Sequence, residues 1–312
     1  MTLNILYLAE NEDWTGFRHG IPAALAARGI DARIARDIPA DEADYIVYAP
    51  DHSDKIDFSA FNRARAVLSL WAGVERVVKN PTLIQPLARM ADAGLREGMV
   101  EWVTGHVLRH HLGMDAHILG QDGVWRGENR PPLAFDRTVA ILGLGALGAA
   151  CGLALARLNF KVLGWARRAR EIEGMTCFSA DAGLRAALEK AAIVVLLLPL
   201  TRQTENILDA ERLALMPSGS FVINPGRGPL IDDSALLGAL DSGQIAHATL
   251  DVFRTEPLPP DHPYWAHPRV TVTPHIASAT RTDTACEFVA ENIVRAETGQ
   301  PLIAEVDRGA GY

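Results

Sequence analysis

Three apolar runs in the second half of the chain end in residues able to handle a proton and a carboxylate. FVINPGRGPL carries Arg227 between Gly226 and Gly228, LDVFRTEPLP carries Asp251 and Glu256, and VTVTPHIAS carries His275. Arginine presents a planar fork of donors that matches a carboxylate, and histidine exchanges a proton near neutral pH. A carboxylate beside a histidine fixes its tautomer and favours its charged form. An isolated Arg–Glu or Glu–His pair is more often a structural ion pair than a working one. The set becomes chemically complete only where a fold brings Arg227, Glu256 and His275 to one place.

A fourth motif says what they would work beside. GLGALG sets Gly143, Gly145 and Gly148 at GxGxxG spacing, after TVAIL and before the helical AACGLALARL. The first glycine permits a tight turn, the second lets backbone approach a pyrophosphate, and the third allows close helix–strand packing. A helix starting at Ala146 and Leu147 would aim free N–H groups and the positive end of its dipole at phosphates. A glycine turn alone is a weak signal. Flanked by strand and helix, with a second apolar strand FKVLGW to follow, it reads as a dinucleotide fingerprint. At the tip of that second strand an acid usually holds the adenosine ribose; here Ala166 is followed by Arg167 and Arg168. With no carboxylate to repel it and two guanidiniums to fork onto it, a 2′-phosphate fits there. NADP(H) is therefore the expected cofactor, with NAD(H) the weaker alternative. The competing reading of the arginines is a solvated basic turn.

These residues need elements to hold them. Short apolar runs alternate with longer amphipathic ones along the whole chain, the pattern of parallel βαβ units. LNILYLA, ARIA, DYIVYA and AVLSL form a first series, with the helix FRHGIPAALAARG closed by Gly29. TVAILG, FKVLGW, AIVVLLLP, SFVINPG, HATLDVF and VTVTPH form a second. Their nearly unbroken apolar character predicts strands covered on both faces. The helix VEWVTGHVLRHHL and the polar GENRPPLAFD separate the series, and a last helix is expected near 281–298. The expected fold is α/β: two doubly wound domains, Rossmann-like or flavodoxin-like, each with a parallel sheet, and a cleft between them. Residues 1–99 with 281–312 would form one domain and 100–280 the dinucleotide-binding one.

Bulk properties agree. A chain of 312 residues with 48% apolar content supplies two cores. A formal charge of −8 argues against a nucleic-acid partner. Cys151, Cys177 and Cys286 form no CxxC pair, which points to a reducing compartment. The start MTLNILYLAENEDW does not read as a signal peptide, and no apolar run reaches the roughly 18 residues that span a bilayer. A soluble cytoplasmic protein without a membrane partner is expected. His106 and His110 share a helical face at a spacing that would suit a metal. No third ligand or HExxH pattern accompanies them, so a solvent-facing or interface helix is expected and a metal is not.

NPGRG, LDVFRTEPLP and TPHIAS, with GLGALG and LPLTRQT, resemble the motifs of the D-isomer-specific 2-hydroxyacid dehydrogenase family in order and spacing. The resemblance runs over nearly the whole chain and is strongest from 139 to 280. The ending VDRGAGY, with arginines in place of the acid, resembles the glyoxylate/hydroxypyruvate reductase A branch of that family. The resemblance implies NADPH-dependent reduction of small 2-keto acids, glyoxylate to glycolate and hydroxypyruvate to D-glycerate. By that resemblance Arg227 would anchor the substrate carboxylate and polarise the keto oxygen. His275 would protonate that oxygen, Glu256 would pair with the other ring nitrogen, and Asp251 would lie near the nicotinamide. Leu198, Pro199 and Thr204 would line the cofactor side.

SLWAGVE, residues 69–75, resembles the family's substrate loop, in which the N–H groups of Ala72, Gly73 and Val74 would cradle a carboxylate. Trp71 stands where glycine is common, and Glu75 where aspartate is. Trp71 would narrow the pocket toward two- or three-carbon acids, unless it packs in a core or between domains; Trp14 carries a weaker hint of the same kind. The helix bearing His106 and the proline-bearing segment after it would, by resemblance, meet a second copy in a homodimer. Two other readings stand: a reductase for pyruvate or phenylpyruvate, and a dinucleotide-sensing scaffold without turnover. The trio of Arg227, Glu256 and His275 argues against the scaffold.

Overall fold

Apolar residues that follow one another without alternation can be buried only in strands covered on both faces, and such runs build both sheets of this protein. The computed structural model describes residues 2–10, 12–49, 56–125, 127 and 130–309. The chain divides into two units: Met1–Leu95 with Ala279–Tyr312, and Arg96–Ser278. In chain order the helices are α1 (Trp14–Ala26), α2 (Ala93–His111), α3 (Met114–Leu119), α4 (Ala146–Arg157), α5 (Ala180–Leu188), α6 (Ala210–Leu215), α7 (Asp233–Ser242) and α8 (Thr282–Glu297). None of them is long and apolar enough to cross a membrane.

The first unit is built on β1 (Leu3–Leu8), β2 (Ala32–Ala35), β3 (Tyr45–Tyr48), β4 (Ala66–Ser69) and β5 (Leu87–Ala88). They pair in parallel in the order β2-β1-β3-β4-β5. Tyr45 through Tyr48 and Ala66 through Ser69 are buried without interruption, as the doubly covered runs require. Asp13 caps α1 through the Gly16 N–H (3.0 Å), and Thr282 Oγ1 donates to the same carboxylate (3.0 Å), which ties the start of α8 to the start of α1.

The second unit holds β6 (Thr138–Leu142), β7 (Lys161–Ala166), β8 (Thr176–Ser179), β9 (Ile193–Leu196), β10 (Ser220–Asn224), β11 (Ile245–Leu250) and β12 (Val270–Val272). The sheet order is β12-β11-β10-β9-β6-β7-β8, parallel throughout. Apolar runs locate six of these strands. The seventh, β8, carries TCFS, an edge strand covered too little to need an apolar run. The two-residue β5 escapes sequence reading for the same want of length.

The helix expected to face solvent or a partner behaves otherwise. Met99, Val103 and Val107 of α2 pack with Val139, Ile141 and Leu155 in the core of the second unit. His110 is only 4% exposed. Its ring stacks on Phe221 at 4.7 Å, and its Nε2 pairs with Thr249 Oγ1 at 2.9 Å. His247 pairs in the same way with Thr271 Oγ1 at 2.8 Å. The i, i+4 histidine spacing thus reflects packing against the sheet.

Burial pushes the His110 imidazole down to about 3, helped by the charges of His247 and Arg109. Burial, with Arg109 next, pushes His247 down to about 4. In the unfolded chain both rings protonate near 6.5. As pH falls below that value the unfolded state takes up protons that the folded state refuses, so stability declines until the folded values are reached. The loss amounts to about 2 kcal/mol per histidine at pH 5. The melting temperature at pH 5 is expected to lie below that at pH 7, and His247→Gln should flatten the fall. An unaltered slope in that variant would rule out His247 as a cause.

Candidate active site

In a parallel sheet whose strand order reverses, ligands gather outside the C-terminal ends beside the reversal. In the second unit the order reverses between β6 and β9. GLGALG leaves β6 and LPLT leaves β9, while the arginine, glutamate and histidine loops leave β10, β11 and β12. All the motifs of this unit therefore lie along one edge of one sheet.

The turn after β6 needs its glycines. Gly143 has φ +110°, and a Cβ there would stand 2.4 Å from the Leu197 carbonyl oxygen. Gly145 caps α4, and a Cβ on it would meet nothing within 4 Å. Open space thus lies over a helix start at which the N–H groups of Ala146, Leu147 and Gly148 have no partner inside the helix. Leu198 is buried behind the turn. Thr204 Oγ1 donates to the Pro199 carbonyl (2.7 Å) and accepts from the Thr201 N–H (2.8 Å), so its hydroxyl holds its own loop. Ala166 is buried at the end of β7, and Arg167 and Arg168 are exposed just beyond it. Among the described residues Arg168 pairs with no carboxylate. An open cradle, free N–H donors and an exposed guanidinium fit a dinucleotide that carries an extra phosphate.

Arg227, Glu256 and His275 lie on three successive loops at this edge. Asn224, at the end of β10, accepts from the Gly226 N–H (3.1 Å) and donates to the Arg227 carbonyl (2.9 Å), which fixes the backbone that carries Arg227. A Cβ on Gly228 would stand 2.0 Å from the Phe253 carbonyl carbon, so only glycine lets this loop lie against the one after β11. Glu256 Oε1 accepts from the Phe253 N–H (2.8 Å), and its Oε2 pairs with His275 Nδ1 at 2.7 Å. Burial alone would raise the Glu256 carboxyl. The hydrogen bonds from His275 and from the Phe253 N–H, then the charges of His275 and Arg227, outweigh it and hold the group below the usual range. An ionised carboxylate only accepts, so the proton between the two sits on Nδ1. Nε2 is the ring atom left over, on a side chain 51% exposed.

His275 itself has φ +55°, a left-handed backbone that residues other than glycine seldom adopt. Asp251 holds it there. Its carboxylate, 0% exposed, accepts from Thr273 Oγ1 (2.6 Å), the Ile276 N–H (2.9 Å) and the Ala277 N–H (2.9 Å), and its carbonyl accepts from the His275 N–H (2.8 Å). The residue expected beside a nicotinamide thus spends its carboxylate on the turn that presents His275. Asn224 and Thr273 were not legible as functional positions. Their only sequence signal is a polar residue at the end of an apolar strand.

The loop resembling a substrate loop lies in the first unit, after β4. Among the described residues the N–H groups of Ala72, Gly73 and Val74 make no hydrogen bond, while Val74 is buried and its neighbours are half-buried. Trp71 is 37% exposed, so it is not a core residue of its unit. Its Nε1 donates to Glu12 Oε1 at 2.6 Å, a partner that sequence alone did not disclose. Trp14 packs on Tyr7 at 4.9 Å with the Arg36 guanidinium 5.0 Å over its ring.

Comparison with known proteins gives concordant results. The sequence profile described as D-isomer specific 2-hydroxyacid dehydrogenase, NAD binding domain, matches residues 104–277. Glyoxylate/hydroxypyruvate reductase A of Serratia proteamaculans is 36% identical over 301 residues, 93% of this chain and 95% of its own. A D-isomer specific 2-hydroxyacid dehydrogenase of Xanthobacter autotrophicus, solved with NADPH and MES, superposes with a TM-score of 0.92 at 37% identity over 100% of both chains. An NADPH-dependent glyoxylate/hydroxypyruvate reductase of Sinorhizobium meliloti, solved with NADP and sulfate, gives 0.86 at 35% identity over 99% of this chain and 100% of its own.

Removing the buried carboxylate in Asp251→Ala leaves the buried Ala277 N–H and the part-buried Ile276 N–H without their acceptor, a cost of about 2 kcal/mol or more. The expected outcome is a lower melting temperature with fast amide exchange at Ile276 and Ala277, while α4 keeps its protection. Undiminished protection at those two amides would show that Asp251 does not hold the turn.

Proposed function

Because the chain belongs to the D-isomer-specific 2-hydroxyacid dehydrogenase family, we propose that it reduces small 2-keto acids with NADPH, taking glyoxylate to glycolate and hydroxypyruvate to D-glycerate. The observation that carries this reading is the 2.7 Å pair of His275 and Glu256, under the charge of Arg227, on the sheet edge that also bears the dinucleotide turn.

The residues that would hold the cofactor are Gly143, Gly145, Ala146, Leu147 and Gly148 at the pyrophosphate, with Arg167 and Arg168 at the 2′-phosphate and residues 198–204 alongside. When bound, a reduced nicotinamide supplies the hydride. His275 Nε2 delivers the proton to the carbonyl oxygen of the substrate, because Nδ1 is committed to Glu256. Glu256 keeps the ring in that tautomer and steadies the charged imidazole. Arg227 forks onto the substrate carboxylate and draws electron density from the keto oxygen. Asp251 acts through His275 as a positioning residue. In the first unit, the three free N–H groups of residues 72–74 offer the donors that a carboxylate requires, and we assign substrate binding to that loop. The preference for NADPH over NADH is supported by the arginine pair and by the NADPH and NADP held in the Xanthobacter and Sinorhizobium structures. The three free cysteines support a reducing compartment such as the cytoplasm.

One assay series tests this reading. Initial rates of NADPH and NADH oxidation with glyoxylate, hydroxypyruvate, pyruvate and phenylpyruvate should favour NADPH over NADH, and glyoxylate and hydroxypyruvate over the other two acids. His275→Ala is expected to lower kcat by about 10²-fold or more. Arg167→Ala/Arg168→Ala should raise KM for NADPH alone. Near-normal turnover without the imidazole, or equal efficiency with both cofactors in the parent protein, would overturn the corresponding assignment.

We also propose a homodimer. Ile118, Leu119, Val124, Trp125, Leu133 and Phe135 expose apolar side chains, Trp125 at 96%, and exposed apolar residues grouped in this way favour an interface. Sedimentation equilibrium at micromolar concentration is expected to return twice the chain mass, and a monomer there would remove the dimer.

A further inference from the structure

We propose that Glu12, held by the Trp71 indole, selects 2-keto acids that carry a hydrogen-bond donor on C3 and rejects those that carry a second carboxylate there. The inference rests on the assignment of residues 72–74 as the cradle for the substrate's acid group.

The sheet of the first unit reverses its order between β1 and β3, so its ligand side is the C-terminal edge beside that reversal. Glu12 lies in the segment leaving β1. Trp71 lies in the segment leaving β4, one residue before the free N–H groups. The two segments, far apart in sequence, are joined at 2.6 Å through indole Nε1 and Glu12 Oε1. Trp71 is itself fixed at both ends of its backbone: its N–H donates to Ser69 Oγ (3.2 Å) and its carbonyl accepts from the Met90 N–H (3.1 Å). The carboxylate is therefore mounted on a fixed support next to the cradle.

Among the described residues Glu12 Oε2 has neither a hydrogen bond nor an ion pair. Arg36, just after β2, is stacked over Tyr7 and Trp14 at 5.7 and 5.0 Å. A carboxylate can only accept, so whatever occupies Oε2 must donate. With its acid group in the cradle, a three-carbon 2-keto acid has its keto oxygen and its C3 substituent left to offer, and a keto oxygen only accepts, so Oε2 can be met only from C3. A hydroxyl there meets an acceptor. A methyl meets nothing, and a carboxylate meets a like charge, which disfavours binding. Glyoxylate has no C3 and is indifferent to Glu12.

The experiment measures kcat/KM with NADPH for hydroxypyruvate, pyruvate, glyoxylate and oxaloacetate in the parent enzyme, Glu12→Ala and Trp71→Phe. The second variant keeps an aromatic ring and loses only the donor that holds Glu12. The hydroxypyruvate-to-pyruvate ratio is expected to fall by about tenfold in Glu12→Ala, the change that loss of a charged hydrogen bond brings. The oxaloacetate-to-pyruvate ratio should rise, and Trp71→Phe should move both ratios in the same directions by less. Ratios that stay within about twofold in both variants, while all four acids still turn over, would overturn this inference and leave the proposed reaction standing. A parent enzyme that reduces none of the four acids would remove the proposed reaction, and this inference with it.

Discussion

The hydrogen bonds of the Asp251 carboxylate are the constraint on which the rest of the site depends. A histidine with φ +55° is in a conformation that costs it about 1–2 kcal/mol relative to ordinary backbone. Three donors from residues 273–277 converge on one buried carboxylate and offset that cost. Without them the turn after β12 would relax to a conformation that points the ring elsewhere. The pairing of His275 Nδ1 with Glu256, and so the identity of the free nitrogen, follows from a backbone geometry set by a residue with no hydrogen bond, among the described residues, to the ring or to Glu256.

Around that clamp the sheet performs a simpler task. Parallel strands deliver every loop to the same edge, so residues more than a hundred positions apart become neighbours without long side chains to span the gap. Close approaches then set the spacing. The loop after β10 lies against the loop after β11 because position 228 has no Cβ, and the turn after β6 lies against Leu197 because position 143 has none. Rigid elements, with no flexible side chains between them, hold Arg227 and the Glu256–His275 pair in place.

Charge is distributed with the same economy. Glu256 is shielded enough that burial opposes its ionisation, yet hydrogen bonds and two cationic neighbours reverse the outcome. His110 and His247 hydrogen-bond to neutral threonines and stand near the Arg109 charge, so burial leaves them neutral. One residue type thus serves as a polar core element on α2 and β11 and as the partner of a carboxylate after β12. The difference lies in whether a carboxylate stands within hydrogen-bonding distance.

The strands, the glycine turn and the trio were legible in the linear chain because each follows from local chemistry: an unbroken apolar run, a glycine spacing, or a reactive side chain at the end of a run. The edge strand β8 was not, since a half-covered strand needs no apolar signature. Nor was the burial of His110, which a helical periodicity reports only as a shared face. The bond between Trp71 and Glu12 and the task of Asp251 were equally hidden, because both depend on which loops a particular strand order sets side by side. Residue types and their spacing determined which chemistry this protein could perform. Tertiary structure alone decided which carboxylate holds the backbone of His275, because hydrogen bonds act over about 3 Å in space and take no account of distance along the chain.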